Sequence, residues 1–185
     1  MRVAKAAVSA VVLGSLLLGS GAAFAATTPT TPAGGSVRVF VTPGNNGQAG
    51  TIVIAGAIGD YGKTLNINKN GTADPNGNYA KQTLQKGTFE VNKTALNTKM
   101  NNAHPTVNNM VTCSAVVSGT APVTALDGTG LYTGITGTVN ITIIEVFIFP
   151  RYTTGKNKGQ CNESNSAQPV AFYVSVMGQG TVSFS

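Results

Sequence analysis

The stretch "DGTGLYTGITGTVNITIIEVFIF", residues 127–149, decides the fold class of this chain. It begins with a cluster of glycines at Gly128, Gly130, Gly134 and Gly137. A dinucleotide-binding loop needs a strand before such glycines and a helix after them, so that the helix N-terminus faces the pyrophosphate. Here the spacing differs, and the β-branched and aromatic residues that follow favour a strand. The glycines therefore predict a compact β-corner with positive φ angles, in which Tyr132 and Ile135 are tucked in.

The rest of the chain repeats this β-signature. Apolar and polar residues alternate in "SVRVFVT" (36–42), "TIVIAGAI" (51–58), "TLNINKNG" (64–71), "FEVN" (89–92) and "NMVTCSAVVS" (109–118). A period of two residues is typical of half-buried strands. Turn-forming residues separate about eight to ten strand candidates. The pattern predicts an all-β fold: a single antiparallel β-barrel of about eight strands, with a β-sandwich as the second choice.

Three segments carry further local predictions. Leu96 and Met100 are four residues apart, which predicts one short helix over 94–102 that plugs an open end of the sheet. The final strand candidate, 169–184, is interrupted at 178–180, where two glycines predict a bulge or a tight bend. Asp60 and Tyr61 lie between two strand candidates and are predicted to form a turn.

The N-terminus is typical of a secretory signal peptide. Arg2 and Lys5 precede an apolar run over 6–18, and residues 23–25 form a small-x-small cleavage pattern. We therefore expect residues 1–25 to be removed and the protein to be secreted or held in the cell envelope, with a retained anchor as the alternative. Residues 26–35, rich in Thr, Pro and Gly, are expected to form a flexible leader. Residues 36–185 are then the β-barrel domain.

Composition and charge narrow the range of partners. Loss of Arg2 and Lys5 lowers the formal net charge from +6 to +4, and the remaining lysines are scattered, which argues against nucleic-acid binding. An outer-membrane barrel is disfavoured because the chain has no Trp for an aromatic girdle. No stable membrane insertion is expected after signal cleavage. The sequence does not determine the oligomeric state.

The chain has two cysteines, Cys113 and Cys161. In an oxidising compartment one such pair predicts one disulfide, with two unpaired thiols as the alternative. One histidine and two distant cysteines do not have zinc-site spacing, so neither a metal nor another cofactor is predicted. The histidine, His104, precedes a proline and is expected to lie in an exposed loop without a catalytic role.

Glu145 is the candidate for chemistry. The alternation in "NITIIEVFIF" (140–149) places it on one face with Ile141, Ile143, Phe147 and Phe149. A carboxylate on an apolar face is costly to bury unless it is paired or protonated. It is therefore a candidate interior group that orients a ligand or stabilises positive charge. The alternatives are a solvent-exposed face and an ion pair with Arg151. Glu145, Phe147 and Tyr132 are the predicted ligand-binding residues.

The segment 127–143 resembles the G-x-G-x-[FY]-x-G-x-x-G segment that leads into a strand in the allene oxide cyclase and dirigent β-barrel group. The matching positions are Gly128, Gly130, Tyr132, Gly134 and Gly137. The resemblance implies an eight-stranded antiparallel barrel with an apolar cavity, which in that group holds a fatty-acid epoxide or steers phenoxy radical coupling. The chain also resembles small exported bacterial proteins that carry no assigned activity.

Together these features predict a secreted small β-barrel that acts as a non-catalytic binding module for an apolar small ligand or a surface partner. Two alternatives remain open. One is a cyclase-type enzyme that uses the barrel cavity, and the other is a structural or matrix protein that uses its surface. The sequence contains no G-x-S-x-G elbow, and no Cys–His catalytic pair follows from its spacing.

Overall fold

The structure is a computed structural model that describes residues 33–44, 48–103, 105–164 and 166–185. The predicted signal peptide, most of the predicted leader and His104 lie outside these ranges. Within them the chain forms eight strands, one α-helix and one short 3₁₀ turn. In chain order they are β1 (Gly35–Pro43), β2 (Ala49–Gly56), β3 (Asp60–Ile67), β4 (Tyr79–Leu84), β5 (Gly87–Asn92), α1 (Thr94–Asn101), β6 (Ser114–Leu126), the 3₁₀ turn (Gly130–Tyr132), β7 (Ile135–Ile148) and β8 (Ala171–Phe184).

The eight strands form one closed antiparallel barrel in sequence order. Each strand pairs with the next, and β8 pairs with β1 to close the sheet. Each strand is therefore paired on both sides over at least part of its length. The predicted barrel is thus confirmed, and the sandwich is not formed.

The period-two alternation places apolar side chains inside the barrel. Val37 and Val39 of β1, and Ile52 and Ile54 of β2, are all buried in one core cluster, while the residues between them face solvent. A strand points successive side chains to opposite faces, so a barrel wall of this pattern buries one residue in two. These four buried residues are apolar members of the alternation in 36–42 and 51–58, as a half-buried strand requires.

Strands β6, β7 and β8 are longer than the others, with 13, 14 and 14 residues. β5 pairs with β6 only from Glu90 to Asn92, so most of β6 has no strand beside it on that side. The helix α1 packs there, and Leu96 joins the barrel core. A Cβ at Gly119 of β6 would lie 2.7 Å from the Sδ of Met100, so glycine allows the helix to approach closely. The predicted helix is confirmed.

The glycine-rich segment forms the predicted corner between β6 and β7. Gly130, Gly134 and Gly137 have φ angles of 61°, 72° and 138°. These angles lie in the region that residues with a Cβ rarely adopt. The corner folds Tyr132 and Ile135 inward, with exposed fractions of 0% and 2%. The predicted positive φ angles and the predicted inward positions of Tyr132 and Ile135 are both confirmed.

Two predictions about strand limits are wrong. The segment 109–113 forms turns, β6 begins only at Ser114, and Val111 is 83% exposed instead of facing the core. The side chain of Asn109 accepts hydrogen bonds from the N–H groups of Val111 and Thr112, and this local turn competes with strand pairing. Asp60 and Tyr61 begin β3 rather than forming a turn, because residues 57–59 already make the connection from β2.

Of the bulge or tight bend predicted in β8, the bulge is not formed. Strand β8 pairs residue by residue with both β1 and β7 through 178–180, without an inserted residue. A Cβ at Gly178 would collide with the Cδ1 atom of Ile141 on β7. Glycine at this inward position therefore makes room for a core side chain.

Candidate functional site

The two ends of the barrel differ in construction. The connections β2–β3, β4–β5 and β6–β7 lie at one end, which we call the closed end. The connections β1–β2, β3–β4 and β7–β8 lie at the other end together with α1, and we call this end the mouth. An antiparallel barrel requires this alternation of ends, so every second connection contributes to the same opening.

A buried hydrogen-bond network fills the closed end. The hydroxyl of Tyr132 donates to Oδ2 of Asp60 at 2.5 Å. The same oxygen accepts the N–H of Lys86 at 3.0 Å, and Oδ1 accepts the N–H of Tyr61 at 2.8 Å. The Tyr132 ring packs edge-on against Phe89, with 5.5 Å between ring centroids. These contacts seal the barrel at this end.

The network also sets the charge state of its two titratable groups. Burial alone would raise the pKa of Asp60, but the hydrogen bonds from Tyr132, Tyr61 and Lys86 outweigh burial and lower that pKa below its ordinary value. Burial, with the nearby Asp60 carboxylate, raises the pKa of Tyr132. Asp60 is therefore an ionised acceptor and Tyr132 a protonated donor at neutral pH, which suits a structural seal.

A cavity of about 840 Å³ occupies the barrel between the seal and the mouth. Its wall is mostly apolar, and all eight strands contribute to it. Its apolar side chains include Val39, Ile54, Phe89, Val123, Ile141 and Val176. At the mouth the wall includes Phe172 and Tyr173, which are 55% and 65% exposed, so the cavity reaches the surface there. An eight-stranded barrel has an interior wide enough for one small ligand.

Three polar side chains on this wall stand out among the apolar ones. Gln82 of β4 is only 4% exposed, and its Oε1 has no hydrogen-bond partner among the described residues. Lys93, just before α1, donates from Nζ to Oδ1 of Asn97 at 3.0 Å. Burial lowers the pKa of Lys93, partly offset by the charge of Asp74. The third is Glu145.

Glu145 lines the cavity from β7, as its position in the alternation predicts. Burial raises the pKa of its carboxyl, and no hydrogen bond or ion pair to it occurs within the described part of the chain. The alternative ion pair with Arg151 is not formed. The guanidinium of Arg151 instead donates to the carbonyl oxygens of Gly159, Met110 and Val111. Glu145 is thus a half-buried acid that faces the cavity.

The other two predicted ligand-binding residues lie away from the cavity wall. Phe147 packs between Phe149 and Phe172, with ring centroids 5.9 Å and 5.0 Å apart. It therefore packs against Phe172, which lines the cavity at the mouth, without lining the cavity itself. Tyr132 belongs to the seal and has no exposed surface. The structure brings Glu145 and Phe147 to the mouth half of β7 and places Tyr132 at the opposite end.

The predicted disulfide is confirmed and lies near the mouth. Cys113 and Cys161 are bonded, with their Cα atoms 5.4 Å apart. The bond joins the turn before β6 to the long connection from β7 to β8. Cys113 also belongs to a second, smaller core that contains Val107, Ala115 and Phe149. This core and the disulfide hold one side of the mouth.

Sequence reasoning missed Gln82. In "YAKQTL" it occupies the same face as Ala80 and Leu84, both of which are buried. The period-two alternation therefore contained the signal that this polar residue points inward. A neutral amide is a weaker signal in a sequence than the carboxylate of Glu145.

An exposed apolar row crosses the outer face of the barrel. Tyr61, Val53, Phe40 and Met177 are successive cross-strand partners on β3, β2, β1 and β8. Their exposed fractions are 60%, 53%, 50% and 42%. The predicted alternative of a surface partner would use a feature of this kind.

No family model, no curated protein and no solved structure matches the chain. The resemblance to the allene oxide cyclase and dirigent group accordingly stays a prediction. In the part of the chain that the structure describes, no group of three or more His, Cys, Asp or Glu side chains is arranged to hold a metal ion. None of the helices in the described ranges has the length and apolar character to cross a membrane.

Proposed function

We propose that this protein is a binding module that holds an apolar small molecule in its barrel cavity. The observation that carries the proposal is the mostly apolar cavity of about 840 Å³, sealed at one end and reaching the surface at the other. Ligand sites are typically concave, mainly apolar and supplied with a few polar groups that orient the ligand. Gln82, Lys93 and Glu145 are such groups here.

Apolar walls also favour an apolar occupant over water. A cavity holds ordered water only where each molecule finds two or more polar partners. The inward positions of β1, including Val37, Val39 and Val41, offer none. An organic ligand restores dispersion contacts along this wall that an unfilled cavity lacks.

We also propose that the mature protein acts outside the cytoplasm. The N-terminal sequence favours export, and the Cys113–Cys161 disulfide suits an oxidising compartment. In an oxidising compartment the disulfide persists and keeps one side of the barrel mouth covalently joined.

A cavity-filling substitution tests the binding proposal. Val176 lines the cavity from β8, so Val176→Phe is expected to weaken binding of the fluorescent hydrocarbon diphenylhexatriene by about ten-fold or more, since overpacking removes ligand space. Met177 is the next residue and faces outward. Met177→Phe is the matched control and is expected to leave the dissociation constant unchanged in a fluorescence titration.

Equal binding to wild type, Val176→Phe and Met177→Phe would place the probe outside the cavity. Absence of any saturable binding to the folded wild type would contradict the proposal itself. Thermal unfolding of each variant shows whether a loss of binding reflects a loss of fold.

The second candidate is a cyclase-type enzyme, which Glu145 specifically favours. A half-buried carboxyl with a raised pKa on a cavity wall is the usual form of a general acid or base. The binding and enzyme proposals differ in what happens to the ligand: a binder releases the molecule that it took up, whereas an enzyme changes it.

Glu145→Gln separates these two proposals and tests the pKa shift. Because its folded pKa is raised, the acid form of Glu145 favours folding below the ordinary value of 4.5, and this contribution is lost as pH rises through the folded pKa. Gln is always neutral, so the variant should melt above wild type at neutral pH but not in acid. If the protein only binds its ligand, the same compound should copurify with wild type and with Glu145→Gln.

A difference in mass between the compounds recovered from wild type and from Glu145→Gln would favour the enzyme. A melting difference that is independent of pH would contradict the raised pKa of Glu145.

A further inference from the structure

We propose that the barrel cavity selects apolar ligands that end in an amino group, whose ammonium form binds the carboxylate of Glu145 in the mouth half of the barrel. The inference rests on the proposed binding function and names the chemical class of the ligand. The apolar part of such a molecule lies along the barrel wall, and its charged end stays near the opening, where water reaches it.

The carboxyl group of Glu145 is unpaired and can be reached from the cavity. Glu145 is half-buried and belongs to the cavity wall. No hydrogen bond or ion pair to it occurs among the described residues, where the only fully buried side-chain oxygen or nitrogen without a partner is Oε1 of Gln82. The oxygens of Glu145 therefore keep accessible surface, and a bound molecule can supply the donor that they lack.

The neighbours of Glu145 in the sheet are all apolar. They are its partners on β6 and β8 and the two residues on the same side of β7, namely Val117, Val174, Ile143 and Phe147. None of these side chains can donate a hydrogen bond or offset a negative charge. A half-buried carboxylate in such surroundings is stabilised most by a group that brings both a positive charge and N–H donors. An ammonium group has both properties, whereas a hydroxyl has only a donor.

An aromatic side chain beside Glu145 favours the same charged group. Phe172 lies diagonally across from Glu145, because Phe172 pairs with Phe147 and Val174 pairs with Glu145. Diagonal neighbours on one face of an antiparallel pair are within reach of an aromatic side chain. Phe172 lines the cavity and is 55% exposed, so part of its surface is available to a ligand. The face of an aromatic ring attracts a cation, which adds to the attraction of the carboxylate.

The nearby lysines do not neutralise Glu145. Lys93 directly follows β5, whose end pairs with Thr124 of β6, whereas Glu145 pairs with Val117. From Val117 to Thr124 is seven residues along β6, or about 23 Å at the rise of a strand. Lys99 of α1 packs near β6, but the pKa of Glu145 is raised by burial, without the lowering that a close ammonium group would cause. The negative charge of Glu145 is therefore left for a ligand to offset.

The test compares decylamine, decanol and decanoate, which share an unbranched chain, as competitors for bound diphenylhexatriene at neutral pH. The amine is then protonated and the acid is ionised. Wild type is expected to bind decylamine about ten-fold or more tightly than decanol, and decanoate more weakly than decanol. The formal net charge of +6 on the whole chain would favour decanoate instead, so the overall charge of the protein cannot produce the expected order.

Three variants locate the preference. Glu145→Gln keeps the shape of the side chain and removes its charge, and it should bring decylamine and decanol to within about two-fold of each other. Glu90→Gln is the matched control, because Glu90 lies between Phe89 and Val91, which line the cavity, and so points to the outer face. It should keep the preference of wild type. Phe172→Leu should lower the ratio of the two affinities about three-fold.

The outcomes separate this inference from the binding proposal. If diphenylhexatriene binds in the cavity but wild type does not prefer decylamine, or Glu145→Gln keeps the preference, the amine inference is wrong and the binding proposal stands. Equal loss of the preference in Glu90→Gln and Glu145→Gln would also contradict the amine inference. If neither the probe nor any competitor binds the folded protein, both proposals are wrong. Should Glu145→Gln fail to fold, an unchanged ratio in Phe172→Leu would overturn the amine site.

Discussion

Replacing Tyr132 with Ala is expected to lower the free energy of unfolding by about 3–5 kcal/mol, the range for removing a fully buried aromatic side chain. Tyr132 has no exposed surface, and its ring packs on Phe89. The substitution also removes the hydroxyl that donates to Asp60, a carboxylate that is only 7% exposed. Both losses occur in the seal, so the closed end should open at lower denaturant than in wild type. Equilibrium unfolding in urea measures the effect.

Two further variants separate packing from hydrogen bonding. Tyr132→Phe keeps the ring and is expected to lose about 1.5–3 kcal/mol, the usual contribution of a hydrogen bond to a charged group. Tyr61→Ala is the matched control, because Tyr61 is 60% exposed on the outer face and its removal should change stability by no more than about 0.5 kcal/mol. Similar losses for Tyr132→Ala and Tyr61→Ala would show that the seal does not stabilise the barrel.

Removal of the disulfide is the second large effect. Changing both Cys113 and Cys161 to Ala should lower the free energy of unfolding by about 4 kcal/mol, because the bond closes a loop with a sequence separation of 48 in the unfolded chain. Reduction of wild type should give a similar loss. Urea unfolding with and without a reducing agent provides the measurement.

The double variant supplies its own control, since a reducing agent should not change its stability further. Its circular dichroism should remain that of a β-protein, because β1 to β5 and the barrel core do not include either cysteine. An unchanged midpoint on reduction of wild type would contradict the contribution assigned to this bond.

The barrel could be predicted because local signals and tertiary structure agree. Alternation identified the inward residues of β1 and β2, and the glycines at the β6–β7 corner required angles that side chains with a Cβ disfavour. The compact corner that these glycines predict also placed Tyr132 and Ile135 inside the barrel. The predictions failed where side chains redirect the backbone. Asn109 caps a turn ahead of β6, and its effect on the N–H groups of Val111 and Thr112 depends on geometry that alternation does not describe.

The candidate site was only partly predictable. Glu145 was found because a charge within an apolar run is conspicuous in a sequence, and it does line the cavity. Tyr132 was placed among ligand-binding residues, but its partner is Asp60, 72 positions away in the chain. Gln82 was missed because whether a buried amide is satisfied depends on neighbours from other strands. Such pairings arise only when the barrel closes.

A native mass spectrum of the mature protein after titration with diphenylhexatriene, with Val176→Phe and Met177→Phe run beside it, tests the central claim most directly. We expect one probe molecule bound per chain in wild type and Met177→Phe, and a largely unbound Val176→Phe. Folded wild type that stays free of probe, or equal occupancy in all three proteins, would contradict the account of the barrel as a container for an apolar ligand.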